Sequence, residues 1–234
     1  MANIAVFVER YTMGRSAEMG ALVRFGQAAQ RCGHRLDILF RGELYKVPQY
    51  DALFIRALTD PLNAAYIAAR TAALHGLRVV DDPTSIVVCC DKVHMYQRLA
   101  AAGVPIPQTE FLAPGALTLD GGRALLKRLG APLVLKAPNS SFSLYVERVD
   151  TPEAFVEVGK RFFRRADRLV AQRFVRSQFD WRVGVLGGEP LYACHYLIPN
   201  KRWKVTTYDR GGGRRAVEGS VKGFSLGEVP PRLL

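Results

Sequence analysis

Two lysines stand where a positive charge is costly unless it meets an anion. Lys136 ends the apolar run Pro132-Leu133-Val134-Leu135, and an inward ammonium at that point needs a partner such as a phosphate. Lys92 follows Asp91 at the start of a helical pattern. There the helix dipole and the first amides already favour phosphate. Taken singly, each lysine also fits a snorkelling surface residue, so the chemistry depends on what accompanies them.

Other reactive types fall out of pattern. Neither Gly159-Lys160 nor Lys222-Gly223 has the upstream glycine and following Ser or Thr that wrap a phosphate. The stretch from Gly14 to Gly20 follows a strand pattern but lacks a full dinucleotide fingerprint, and no G-x-S-x-G elbow occurs. His34, His75, His94 and His195 are far apart and lack metal-ligand spacing. Each is expected at the surface or hydrogen-bonded in the core. Cys32, Cys89, Cys90 and Cys194 form no C-x-x-C pair, so four buried thiols in a reducing cytosol are expected rather than zinc.

The elements that must position the lysines follow from periodicity. Strands are expected at Ile4 to Val8, Leu36 to Phe40, Ala52 to Arg56 and Leu77 to Asp81, with a helix from Ser16 to Gly33. A second, alanine-rich helix is expected to open on Asp60-Pro61 and to end at Gly76. Strand, helix and strand in alternation make a small parallel α/β unit. Asp82-Pro83-Thr84-Ser85 reads as turn chemistry, a helix follows from Asp91 to Gly103, and Val104-Pro105-Ile106-Pro107 is an extended connector.

Beyond the connector come a strand at Thr109 to Leu112, a helix at Gly122 to Leu129, a strand at Leu133 to Ala137, a loop at Pro138 to Ser143 and a strand at Leu144 to Val149. Thr151-Pro152-Glu153 caps a helix to Arg164. Strands at Leu169 to Val175, Trp181 to Leu186, Leu191 to Ile198 and Trp203 to Tyr208 follow, with Gly187-Gly188 as a hairpin turn and a polar loop after Gly213.

Composition agrees with such a chain. Its 234 residues are 49% hydrophobic and 23% charged, which excludes disorder and allows one large or two small cores. A net charge of +12 favours polyanions, although excess Arg and Lys on helix faces chiefly sets solubility. No run reaches the length of a membrane span and the first residues lack a signal pattern. A cytoplasmic protein is expected.

The order of these features resembles the ATP-grasp superfamily, and within it the RimK-like carboxylate-amine ligases. Asp82-Pro83-Thr84-Ser85-Ile86, then Cys90-Asp91-Lys92, then Gly103-Val104-Pro105-Ile106-Pro107-Gln108-Thr109 resemble that family's linker, lysine helix and connector. Pro132 to Lys136 resembles its lysine strand, Pro138 to Ser143 its small phosphate loop, Val170 to Val175 its adenine hinge, and Asp180-Trp181-Arg182-Val183 its D-x-R strand. The fold this implies is α/β followed by α+β. A parallel-sheet N-terminal domain would span residues 1–87 and an incomplete ATP-grasp domain residues 88–234.

The resemblance implies ATP-dependent joining of a carboxylate to an amine through an acyl phosphate, with an amino acid or peptide as substrate. Lys92 and Lys136 would neutralise the ATP phosphates, Ser140 and Ser141 would lie in the phosphate loop, and the backbone of Gln172, Arg173, Phe174 and Val175 would read the adenine. Asp180 would sit near the nucleotide. A basic residue among Lys201, Arg202 and Lys204, with Lys204 favoured, would support the transferred phosphoryl group together with Arg182 of the D-x-R strand.

Three departures qualify that picture. Arg173 stands where the family usually has an acidic residue, and the loop Asn139-Ser140-Ser141-Phe142-Ser143-Leu144-Tyr145 contains no glycine, although glycine normally brings amides close to phosphate. The family's magnesium ligands, an aspartate and a later Glu-x-Asn pair, lie beyond the point that matches Leu234, and Glu218 and Glu228 are poor replacements. A truncated ligase, or a relative without catalysis, is therefore expected, binding ATP weakly and turning over little alone; magnesium is expected only in a full-length relative. Two other readings compete: a nucleotide-binding or partner-binding module, and a basic nucleic-acid-binding protein using the segment from Gly211 to Arg215.

Overall fold

The computed structural model describes residues 1–199, 202–208 and 216–233. Lys201, Asp209 and the basic run from 211 to 215 lie outside the described residues. The backbone divides into two compact units, Met1–Val104 and Pro105–Leu234, so the division expected at residue 87 falls inside a helix of the first unit.

Strands β1 (Asn3–Phe7), β2 (Arg35–Leu39), β3 (Ala52–Ile55) and β4 (Arg78–Val80) form the first unit's sheet in the order β2-β1-β3-β4. Each neighbouring pair is parallel, with Ile4 opposite Leu36. Ala5, Val6 and Phe7 are all fully buried, as a central strand covered on both faces requires. Alternation sends Val6 and Val8 towards Leu22 and Met19 of α1 (Ser16–Arg31), while Ala5 and Phe7 join the alanine face of α2 (Ala64–Leu74).

The cap of α2 differs from the sequence expectation. Asn63, not Asp60, accepts from the Tyr66 amide at 3.2 Å and ties back to the Leu58 carbonyl at 2.6 Å. Asp60 instead accepts from the Leu62 amide at 2.8 Å, closing a turn two residues long that lets Asn63 take the cap. Asn63→Ala is accordingly expected to cost about 1–2 kcal/mol and Asp60→Ala less, a difference measurable by urea unfolding.

The turn expected at Asp82 is a helix, α3 (Pro83–Cys90). Asp82 accepts from the Thr84 and Ser85 amides at 2.9 and 3.0 Å, with Pro83 in the first turn. Asp-Pro opens helices as readily as turns, and the β-branched run Ile86-Val87-Val88 hides the helical signal. Helix α4 (Lys92–Ala101) follows, capped by Asp91 on the Val93 amide at 2.7 Å. The cysteines also depart from expectation. Cys194 alone is buried; Cys32 caps the end of α1 in solvent, Cys89 lies on the outer face of α3, and Cys90 is half-buried.

In the second unit β5 (Thr109–Leu112), β6 (Leu133–Lys136), β7 (Val146–Val149) and β8 (Leu169–Arg173) form an antiparallel sheet in the order β5-β8-β6-β7. Leu133, Leu135, Leu169, Ala171 and Leu112 face α5 (Leu119–Leu129) and α6 (Pro152–Phe163), where Leu125, Leu129, Phe155 and Phe162 complete the core. The two helices approach closely at Gly122, where a Cβ would come within 2.9 Å of the Phe155 ring.

A second sheet pairs β9 (Phe179–Leu186) with β10 (Glu189–Leu197) through a hairpin whose Gly187 and Gly188 take φ values of 62° and 88°, the left-handed conformation that such two-residue turns demand. Beyond residue 215 the chain is not the polar loop expected. β12 (Ala216–Glu218) pairs with β11 (Thr206–Tyr208), and β13 (Val221–Phe224) pairs with β10. These strands are short and β13 is largely exposed, so neither length nor hydrophobic alternation announced them. Among the described residues no helix is long and apolar enough to cross a membrane.

Candidate functional site

Because side chains alternate across a strand, the residues between those that meet α5 and α6 share the opposite face of the β5-β8-β6-β7 sheet. That face presents Thr109 from β5, Gln172 from β8, Val134 and Lys136 from β6 and Arg148 from β7, with Gln172 opposite both Thr109 and Val134 in register. The Lys136 ammonium donates to Gln172 Oε1 at 2.6 Å, Gln172 Nε2 donates to Thr109 Oγ1 at 2.8 Å, and Thr109 Oγ1 donates to the Pro107 carbonyl at 2.6 Å. Gln172 is only 6% exposed. A buried amide satisfied at both ends is inexpensive, whereas one left unpaired would cost about 1–3 kcal/mol.

A second lysine reaches the same edge of the sheet. Lys204 donates to the carbonyl of Val146, the register partner of Lys136, and lies 3.5 Å from the Ser143 carbonyl. Burial pushes the Lys204 ammonium below the usual lysine range, and the Glu147 carboxylate opposes that shift. Between β6 and β7 the loop 138–145 runs through left-handed backbone at three residues that are not glycine: Phe142, Ser143 and Tyr145, with φ values of 51°, 59° and 49°. Such conformations persist only where their surroundings over-determine them. Here the Ala137 amide donates to the Tyr145 carbonyl at 2.9 Å, the Leu144 amide to that of Ser141 at 3.0 Å, and the Ser140 hydroxyl to that of Ala137 at 3.2 Å. The Tyr145 ring meets Phe162 edge-on at 5.7 Å, with the Arg165 guanidinium 5.0 Å from its centre.

The hinge residues divide between the two faces and the strand end. Arg173 continues the parity of Leu169 and Ala171 and is exposed, so its charge lies away from the face that carries Lys136. Its amide is taken by the Gln108 carbonyl at 2.9 Å, and Gln172 lies inside the ladder between β5 and β6. Phe174 and Val175 lie past the end of β8. The Phe174 ring meets Trp203 edge-on at 6.0 Å and lies 5.8 Å from the Arg148 guanidinium. Arg148 was missed from the sequence, although alternation along Val146-Glu147-Arg148-Val149 would have found it.

Asp180 and Arg182 stand together on one face of the second sheet. Arg182 lies over the Tyr196 ring at 4.1 Å and donates to its hydroxyl at 3.3 Å. Atoms crowded around the Asp180 carboxyl raise its pKa, and the Arg182 guanidinium pulls it back. On the opposite face His195 is half-buried among aromatic rings. It stacks on Phe179 at 3.7 Å between Trp181 and Phe224, and its Nε2 is buried without a hydrogen-bond partner. Lys92 belongs to the first unit, half-buried in the first turn of α4.

A divalent cation needs several oxygen donors converging. Among the described residues no three Asp, Glu, His or Cys side chains come together, and Glu228 is occupied by the Ser225 amide and hydroxyl at 2.8 and 2.7 Å. The residues described do not fit the magnesium that the family resemblance implies.

No family model matches the chain. In sequence it is similar to a protein named probable alpha-L-glutamate ligase from Vibrio vulnificus, with 23% identity over 225 residues, covering 88% of this chain and 72% of the relative. In structure it is similar to D-alanine–D-alanine ligase from Bacillus anthracis, with a TM-score of 0.65 at 14% identity over 100% of this chain and 74% of the other. It is also similar to a RimK domain ATP-grasp protein from Sphaerobacter thermophilus, with a TM-score of 0.60 at 17% identity over 94% and 90% of the two chains. The fold is that of the ATP-grasp proteins. In sequence the chain is thus similar to carboxylate-amine ligases, and in fold to ATP-grasp proteins that include a RimK domain protein.

Proposed function

We propose that this chain uses ATP to activate the carboxylate of an amino acid, glutamate being the first candidate, and passes the acyl group to an amine. The observation that carries this reading is the Lys136–Gln172–Thr109 line on the face of the sheet away from α5 and α6, in a fold shared with ATP-dependent ligases. In this reading Lys136 contacts the ATP phosphates, the loop holding Ser140 and Ser141 closes over them, and Lys204 supports the phosphoryl group in transfer. The backbone of Phe174 and Val175 reads the adenine edge. Asp180 with Arg182 completes the polar set of the second unit, and Lys92, at the start of α4 in the first unit, is proposed separately as a phosphate-binding lysine. The functional division into residues 1–87 and 88–234 belongs to the same proposal.

The chemistry required of these residues is charge neutralisation and positioning. As the phosphoryl group moves to the carboxylate, charge on its oxygens is met by fixed ammonium groups that need no reorganisation. The amine nitrogen then attacks the acyl carbon, the bond from that carbon to the phosphate oxygen breaks, and inorganic phosphate leaves as the nitrogen gives up a proton. The test is calorimetric titration with ATP, beside ADP release in the presence of magnesium, L-glutamate and hydroxylamine as a trapping amine. ATP binding is the expected result, with ADP release, however slow, rising when the carboxylate is supplied. Failure to bind ATP, or ADP release indifferent to every carboxylate tried, overturns the reading.

A further inference from the structure

We infer that Thr109 and Gln172 form a directional relay that fixes the ammonium of Lys136, which makes Thr109 a positioning residue for a charge it does not touch. The direction follows from donor and acceptor inventory. The Pro107 carbonyl only accepts, so the Thr109 hydroxyl, 2.6 Å away, must spend its hydrogen there. Thr109 Oγ1 is then left as an acceptor for Gln172 at 2.8 Å, and only the amide NH2 can donate to it. With Nε2 turned to Thr109, Oε1 faces Lys136 at 2.6 Å. Each step permits one orientation.

Burial makes the relay stiff. At 6% exposure Gln172 has little access to water with which to satisfy a flipped amide, and a flip would set its NH2 against the ammonium. The anchor is also rigid: Pro107 lacks a backbone NH, and the next residue, Gln108, is tied to the Arg173 amide at 2.9 Å. The connector ahead of β5 thus sets the position of a lysine on β6 with β8 between them. A valine at 109 keeps the shape of threonine and removes both the donor and the acceptor, so the amide loses the contact that sets its orientation.

This inference rests on the nucleotide reading of Lys136 for its function, though not for its geometry, and two measurements keep those apart. The first is the 15N signal of the Lys136 ammonium in the ligand-free protein, assigned by its loss in Lys136→Met. A protected ammonium signal is expected in the starting protein, broadened or lost in Thr109→Val and recovered in Thr109→Ser. Thr109→Ala provides the same deletion with a smaller side chain if valine disturbs folding. The second is binding of ATP against adenosine: Thr109→Val is expected to weaken ATP about tenfold and leave adenosine unchanged, with Thr109→Ser restoring ATP. An ammonium signal indifferent to Thr109→Val overturns the relay. A signal that responds while ATP affinity stays constant supports the relay and removes Lys136 from the phosphate site.

Discussion

Lys136→Met is expected to weaken ATP binding about tenfold and to slow phosphoryl transfer by about 10²–10³-fold. Methionine keeps the unbranched apolar stem that covers the end of β6 and removes only the charge and the donor, so packing is not the cause. The effect on transfer exceeds that on binding because charge on the moving phosphoryl group must be met at every point along the reaction, whereas ATP in its ground state retains other contacts. Stability should fall as well, since Gln172 Oε1 loses the donor 2.6 Å away in a buried setting, at a cost of about 1–3 kcal/mol. Lys136→Arg restores charge without restoring geometry, because a planar fork does not match a single amide oxygen at that distance. It is expected to recover binding more than rate. Calorimetry with ATP, initial rates of ADP release and urea unfolding of the three proteins check each part. Equal ATP affinity in Lys136→Met and the starting protein would falsify the phosphate assignment.

Phe162→Ala should be among the most destabilising single changes in the second unit. The ring is fully buried between the sheet and α5, so its removal is expected to cost about 3–5 kcal/mol and to lower that unit's Tm by roughly 10 °C. It has a further consequence that an equally buried ring lacks. Phe162 meets Tyr145 edge-on, and Tyr145 is one of the residues holding left-handed backbone in the loop 138–145. Phe155→Ala is expected to match the loss of stability while sparing the loop. Comparing ATP affinity of the two variants at a temperature where both are folded separates the effects. Phe162→Ala should bind more weakly than Phe155→Ala; equal affinities would show that the loop does not depend on this contact.

Much of the architecture was legible because it rests on periodicity. Burial of Ala5, Val6 and Phe7 together predicts a parallel central strand, and alternation in Leu133-Val134-Leu135-Lys136 places the lysine on the face away from the helices. What escaped was decided by competition between equivalent local signals or by distant partners. Asp60 and Asn63 both cap well, and only the turn between them selects Asn63. Asp82-Pro83 is both a turn and a helix start. The pairing of Val221–Phe224 with β10 is non-local, so nothing near it in the chain could reveal it. The site behaved likewise. Lys136 was visible from its own neighbours, but Gln172 as its partner and Thr109 as the anchor become apparent only when β5, β8 and β6 are laid side by side. The side of the sheet on which Arg173 lies likewise required the register.

The loop between β6 and β7 takes left-handed turns with phenylalanine, serine and tyrosine where glycine would adopt them freely. Glycine leaves a loop many shapes in the absence of ligand, and most of them are lost when an anion arrives. Here the side chains have already removed those shapes during folding, with Lys204, Phe162 and Arg165 holding what remains. In the proposed reading, in which this loop covers the ATP phosphates, ligand capture requires little further ordering. Its entropy of association is correspondingly less unfavourable, and the opening that releases a product becomes the slow motion, because it must break contacts that a glycine-rich loop never makes.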